Sequence, residues 1–290
     1  MDKSYVILGK GYVGQTLAAA LRQANKTVHI LSRGELDYTN PKVLRGYLTT
    51  RGQQDCEITV INCAGFTGSP NVDACELPIN QPKVYSLNAQ LPLDLAMVCK
   101  SYPNVNLIHI SSGCIYDGYE KIHSETDTPN FGFYSSRSSF YSKTKHLSEL
   151  LLQRLEYGCI LRVRMIFGQE SNDRNFLNKV LKYKNHIANE NSMTSVEDLC
   201  QFIIRLTEMN AERTYGVYNV VNEGSISLKV IAGIFNKYPK FQRNWVFVNE
   251  ADLQLAAKRS NCVLDTAKIR ELGLELPSVI ASLDKCISLL

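Results

Sequence analysis

The sequence predicts an α/β protein built on a Rossmann-type doubly wound parallel sheet, with a smaller C-terminal substrate-binding lobe. Three observations predict it. The apolar run Tyr5-Val6-Ile7-Leu8 leads directly into Gly9-Lys10-Gly11-Tyr12-Val13-Gly14 and then into a helical stretch from Gln15 to Gln23. Strand, glycine turn and helix in that order are what a dinucleotide fingerprint requires. Apolar strands and helical stretches keep alternating up to Met165, which specifies a parallel sheet. Beyond Met165 the rhythm breaks into shorter elements, as expected of a lobe laid on the carboxyl edge of the sheet, where open α/β sheets bind ligands.

In order, Gly9 and Gly11 allow a tight turn and close approach of the backbone to a pyrophosphate, and Gly14 lets the helix pack on the strand. The helix N-terminus at Tyr12 and Val13 offers N–H groups and the positive end of its dipole to phosphate. Thr27 to Leu31 forms the second strand and ends in Ser32-Arg33. An acidic residue at this point would hold the ribose 2′-hydroxyl of NAD; a serine and an arginine favour a 2′-phosphate, hence NADPH. A helix follows near Lys42 to Thr49. The strand Ile58 to Asn62 runs into Cys63-Ala64-Gly65, whose small residues allow the chain to lie along the cofactor's edge, with Asn62, Ala64 and Gly65 as its contacts. A long helix from Val84 to Lys100, the strand Asn106 to Ile110, a helix from Phe140 to Leu155 and the strand Cys159 to Val163 complete the alternation. Residues 1–165 then form the NADP-binding domain, completed by 194–221, and 166–290 supply mainly the lobe. The lobe's elements are expected at Asn175 to Tyr183, Val196 to Met209, Leu228 to Lys237, Val246 to Val248 and a closing helix from Ser278.

Composition narrows the function classes. The 290 residues carry a formal charge of +4 with no long basic block, which gives no reason to expect nucleic acid or a membrane but suits anionic substrates. No apolar run is long enough to span a bilayer, and the N-terminus enters a strand without room for a signal peptide. Nine cysteines, scattered without Cys-x-x-Cys or a Cys/His cluster, argue against disulfides and a metal site and point to the cytosol. None of the five histidines falls in a catalytic constellation, and His109, inside a strand, is expected as a satisfied core residue. Oligomeric state, including a homodimer, is left open.

The chemistry lies in Tyr141 and Lys145. Four residues apart in a stretch free of Pro and Gly, with Ser138-Ser139 to cap it, they share one helical face. The ammonium is expected beside the phenol, favouring its ionised form. Tyr38 and Lys42 have the same spacing, but Pro41 between them forbids the helix interior. Ser112, which closes the fourth strand, supplies a hydroxyl to orient the same proton. Together these are the parts of a carbonyl reductase.

Several segments carry a closer resemblance: Gly68 to Glu76, Gly113-Cys114-Ile115-Tyr116, Thr128 to Phe131, Phe140 to Lys145, Leu161 to Met165 and Asn191 to Thr194. The chain resembles extended short-chain dehydrogenases/reductases, and within them the plant nucleotide-rhamnose synthases with 3,5-epimerase and 4-reductase activity; it is more distantly similar to dTDP-4-dehydrorhamnose reductases and GDP-fucose synthase. Its first two glycines stand closer together than is usual there. The resemblance implies conversion of UDP-4-keto-6-deoxyglucose into UDP-L-rhamnose with NADPH. It also implies Cys114 and Lys179 as an acid–base pair inverting C3 and C5. Thr67, Asn175 and Arg259 are expected as contacts of the nucleotide sugar beside Ser112, because a guanidinium matches phosphate oxygens; the other reading of Arg259 is as a cap of the lobe's last helix. Cys114, two residues after Ser112 on extended chain, points the same way; Lys179 borders the apolar face of its helix, where it either overhangs a pocket or snorkels. Two alternatives remain: a monofunctional 4-reductase of the dTDP-4-dehydrorhamnose type, and a non-catalytic NADP-binding regulatory subunit. Nothing in the sequence decides between UDP and dTDP.

Overall fold

The computed structural model describes residues 2–52, 56–209 and 215–290. Met1 and residues 210–214, the latter within the expected stretch 194–221, lie outside the described residues. Six strands form one parallel sheet: β1 (Asp2–Leu8), β2 (Thr27–Leu31), β3 (Cys56–Asn62), β4 (Val105–Ser112), β5 (Cys159–Val163) and, after two short strands of the lobe, β8 (Gly216–Asn219). Their spatial order is β2-β1-β3-β4-β5-β8. Chain order reverses between β1 and β3, so the loops leaving these two strands diverge and open a crevice at their carboxyl ends.

Apolar residues on alternate positions of these strands feed two cores. On one face Tyr5, Ile7, Ile61, Ile108, Ile110, Leu161 and Val163 pack under α1 (Tyr12–Gln23) and α7 (Val196–Glu208). On the other, Val6, Leu8, Val60, Leu107 and Ile160 pack under α2 (Pro41–Gly52) and α4 (Leu91–Cys99). Alternation within a fully covered strand is what a sheet buried on both faces demands.

The long helix expected from Val84 to Lys100 is observed as α3 (Gln81–Tyr85), a π-turn (Ser86–Gln90) and α4. Pro92 lacks the N–H that would close on the Asn88 carbonyl, and the helix widens just before it. The helix that carries Tyr141 and Lys145, α5 (Phe140–Leu155), starts where the side chain of Ser139 accepts from Ser142 N.

The lobe has a core of its own. Phe167, Leu177, Val180, Ile231, Phe235, Leu283 and Ile287 join α6 (Phe176–Lys182), α8 (Leu228–Asn236) and α10 (Val279–Leu289), with the short α9 (Ala267–Glu271) lying instead on the sheet side through Ile269. Two small ladders complete it: β6 (Asn185–Ile187) pairs in parallel with β10 (Val246–Val248), and β7 (Glu190–Asn191) pairs antiparallel with β9 (Ile226–Ser227).

Candidate active site

A cleft of about 870 Å³ runs from the glycine turn to the lobe. Gly11, Tyr12, Val13, Cys63 and Gly65 line one end; Ser112, Cys114 and Tyr141 line the sheet wall; Arg174, Phe176 and Lys179 line the lobe wall. Six cationic side chains, Arg164, Arg174, Lys179, Lys184, Lys258 and Arg259, border it, and among the described residues that line it there is no carboxylate. Such a lining attracts an anionic ligand.

The turn at the cleft's end is shaped by missing side chains. Gly9 has φ +104°, and a Cβ there would stand 2.8 Å from Ala64 N; a Cβ on Gly14 would stand 2.0 Å from the Gly9 carbonyl oxygen. At Gly11 nothing lies within 4 Å of the Cβ position, and as N-cap of α1 it offers no side chain to the first-turn N–H groups. Open space over free N–H groups is what a pyrophosphate needs, so these residues fit a dinucleotide. The Tyr12 side chain takes no part: its phenol turns inward, buried and without a partner, which leaves its backbone to serve the turn.

The Asn62 side chain acts on the turn rather than on the cleft. Asn62, fully buried, accepts from Ala64 N at 3.1 Å and meets His109 Nδ1 at 3.1 Å. The strand's polar end therefore shapes the Cys63–Gly65 loop from behind, which corrects the expectation of direct contact by the Asn62 side chain. His109 is only half satisfied, since Nε2 has no partner. Asn88, which sequence reasoning missed, holds the next residue: it accepts from Phe66 N at 2.7 Å and donates to Phe66 O at 2.9 Å. Its signal was a polar side chain on the buried face of an apolar helix, between Val84 and Leu91. Ser32 and the exposed Arg33 stand at the end of β2, where the Ser32 hydroxyl donates to Glu35 at 2.7 Å.

Tyr141 meets Ser112, and Lys145 lies one helical turn on, but the electrostatics differ from those expected. The Lys145 ammonium, 4% exposed, donates to the Ile110 carbonyl at 3.1 Å. Burial lowers it to about 8, against the pull of Glu149, Cys114 and Cys63. Burial likewise holds the Tyr141 phenol well above its ordinary value, with Cys114 pushing the same way; the hydrogen bond to Ser112 and the charge of Arg164 pull it down. Desolvation thus outweighs the expected help from Lys145. The phenol therefore keeps its proton and can donate it.

Cys114 follows on the same wall, with its backbone N–H donating to Ser112 Oγ at 3.2 Å. Behind it stands the buried Arg164, missed from sequence, which donates to Gly113 O (3.1 Å), Ser260 Oγ (2.9 Å) and Asn191 Oδ1 (2.5 Å) and turns one N–H toward Cys114 Sγ at 3.9 Å. Lys179 faces the cleft from α6. Burial, then the charge of Arg174, lowers its amine against Asp173, bringing it nearer to proton exchange at neutral pH.

Two expected substrate contacts, Asn175 and Arg259, are otherwise employed, and a third, Thr67, is partly so. Asn175 is fully buried and caps α6, accepting from Leu177 N at 3.0 Å while donating to Gly168 O (2.7 Å) and Glu170 O (2.8 Å). It builds the helix that carries Lys179 and has no group left for a ligand. Arg259 grips Asp73 at two points, 2.7 and 2.9 Å, so it ties the lobe to the loop after β3 rather than standing free for phosphate. Thr67 lines the cleft, but its hydroxyl accepts from Arg174 at 3.0 Å, and the same guanidinium also meets Gly68 O. Of the six bordering cations, Lys258 pairs with Asp117 and Arg259 with Asp73, while Arg164, Arg174, Lys179 and Lys184 make no ion pair among the described residues.

Among the described residues no group of His, Cys, Asp and Glu is placed to hold a metal, and no helix is long and apolar enough to cross a membrane.

Comparison with known proteins bears on the site as a whole. A family described as the RmlD substrate binding domain matches residues 4–290. The bifunctional dTDP-4-dehydrorhamnose 3,5-epimerase/dTDP-4-dehydrorhamnose reductase of Arabidopsis thaliana is 36% identical over 238 residues, 78% of this chain and 75% of that protein. A trifunctional UDP-glucose 4,6-dehydratase/UDP-4-keto-6-deoxy-D-glucose 3,5-epimerase/UDP-4-keto-L-rhamnose-reductase of the same plant is 34% identical; the match covers 78% of this chain and only 34% of that longer protein. Among solved structures, a UDP-rhamnose synthase from Acanthamoeba polyphaga mimivirus superposes with a TM-score of 0.88 at 25% identity, covering 99% of each chain.

Proposed function

Because the chain belongs to the RmlD substrate binding domain family of reductases, we propose that it is an NADPH-dependent enzyme that converts UDP-4-keto-6-deoxyglucose into UDP-L-rhamnose, inverting C3 and C5 before reducing C4. One observation carries the proposal: a single cation-lined cleft holds Ser112, Cys114 and Tyr141 on its sheet wall and Lys179 on its lobe wall. A reductase alone needs only the first wall's serine and tyrosine.

The dinucleotide end is formed by Gly9, Gly11, Tyr12, Val13 and Gly14, by Ala64 and Gly65, and by Ser32 and Arg33 around the adenosine ribose. When bound, NADPH supplies hydride to C4 of the sugar. Carbons 3 and 5 both flank the C4 carbonyl, so their protons become removable once the C4 oxygen is stabilised as an enolate. Ser112 and Tyr141 donate to that oxygen. Inversion requires a base on one face of the ring and an acid on the other; Cys114 and Lys179, which line the same cleft from different elements, take those roles. The lowered amine of Lys179 suits it to give and take a proton near neutral pH. After inversion Tyr141 releases its proton to the C4 alkoxide, and the Lys145 ammonium compensates the phenolate left behind. Arg174 and Lys184, free of carboxylates, bind the substrate's diphosphate.

The test is turnover of purified chain with NADPH on UDP-4-keto-6-deoxyglucose and on its dTDP counterpart, without added epimerase. Cofactor oxidation is expected, and comparing the two nucleotides sets the preference. If oxidation begins only when a separate epimerase is supplied, the chain is a 4-reductase alone; tight NADP binding without turnover would make it a regulatory subunit.

A further inference from the structure

We infer that the Glu35 carboxylate is a built-in occupant of the site for the cofactor's 2′-phosphate, and that it sets how strongly the chain prefers NADPH to NADH. This rests on the cofactor reading above. Glu35 lies just past the end of β2 and takes three donors at once. Oε1 accepts from Lys10 Nζ at 2.5 Å; Oε2 accepts from the backbone N–H of Ser32 at 2.8 Å and from its hydroxyl at 2.7 Å. Lys10 stands inside the glycine turn and Ser32 on the neighbouring loop. The two loops are joined where Gly9 N donates to Leu31 O at 2.9 Å, so their spacing is set by the sheet and not by Glu35.

An ammonium, a hydroxyl and a backbone N–H converging on one anion form the donor set that a phosphate monoester requires. Arg33, exposed beside Ser32, is a further cation on the same loop that the carboxylate leaves unused. A dianion therefore gains more from this set than the carboxylate does. Displacement is easy, because the pair is open to solvent, with side chains 37% and 48% exposed, and such pairs are weak. The hydrogen bond from Lys10, with those from Ser32, holds the carboxyl at about 2, so a negative charge is present at every working pH. NADPH must expel or repel that charge. NADH, with a neutral 2′-hydroxyl, need not.

The experiment is calorimetric titration of NADPH, NADH, adenosine 2′,5′-bisphosphate and AMP into wild type, Glu35→Gln, Glu35→Ala and Lys10→Met. Both Glu35 variants should bind NADPH and the bisphosphate about three- to tenfold more tightly, leaving NADH and AMP within about twofold of wild type. Lys10→Met should weaken the two phosphorylated ligands about tenfold and the others little. Unchanged or weaker NADPH binding in both Glu35 variants overturns the inference, as does a large loss of NADH affinity, which would mean that the carboxylate holds the ribose hydroxyl. A wild-type chain that binds neither dinucleotide overturns the cofactor reading together with it.

Discussion

Tyr141 and Lys145 share a helical face, yet burial acts on each more strongly than they act on one another. For Lys145 the sign is definite. Its folded value of about 8 lies below its ordinary 10.5, so the folded state pays for a buried ammonium below about pH 8. That cost is relieved as pH rises from 8 toward 10.5, a gain of roughly 3 kcal/mol in stability across the window. Activity moves the other way. With the ammonium lost, kcat/KM for 4-keto reduction should fall as pH rises through about 8; a profile flat to pH 10 would separate Lys145 from the reaction. Asn175 gives a second expectation at this scale. Asn175→Ala removes a cap and strands two carbonyl groups, so it should cost about 2 kcal/mol in urea unfolding and leave the substrate KM of folded enzyme nearly unchanged. A raised KM without lost stability would restore it as a ligand contact. The sequence made Tyr141, Lys145 and Ser112 legible because helix spacing and strand ends place them. It did not make Asn62, Asn175 and Arg259 legible, since their partners, His109, the Gly168 and Glu170 carbonyls and Asp73, are set by tertiary contact.

At the scale of elements, α5 is fixed beneath the site by an ion pair that spacing alone does not reveal. Glu149, one turn beyond Lys145, accepts from Arg162 of β5 at 2.7 and 2.9 Å and from Ser111 of β4 at 2.5 Å; the paired side chains are 1–2% exposed. One carboxylate thus joins the helix of Tyr141 to the strand of Ser112. Breaking such a pair leaves a buried charge alone, so Glu149→Ala should cost about 3–5 kcal/mol in chemical denaturation, and a loss under about 1 kcal/mol would show that the helix is held by its apolar face. The strand-helix alternation was readable because each element's pattern is local. The π-turn that aims Asn88 at Phe66, and the two-residue ladder of β7 with β9, were not, since they depend on packing across the chain.

Across the whole molecule, the +4 charge gave little hint that cations would gather around one cleft. The fold does this by bringing α6, the Lys258–Arg259 segment and the end of β5 around a single opening. It also brings Cys114 and Lys179, from distant elements, to the lining of one cleft, a juxtaposition no local pattern contains. That placement underlies the central claim, inversion and reduction in one pocket, and it is tested most directly in deuterated water. Purified chain, NADPH and UDP-4-keto-6-deoxyglucose, with no other enzyme, should yield a rhamnose product labelled at both C3 and C5. Cys114→Ala should abolish the label while still reducing a pre-epimerised substrate, and Tyr141→Phe should abolish reduction while retaining some exchange. Wild-type product without deuterium at C3 and C5, or no product until an epimerase is added, would contradict it.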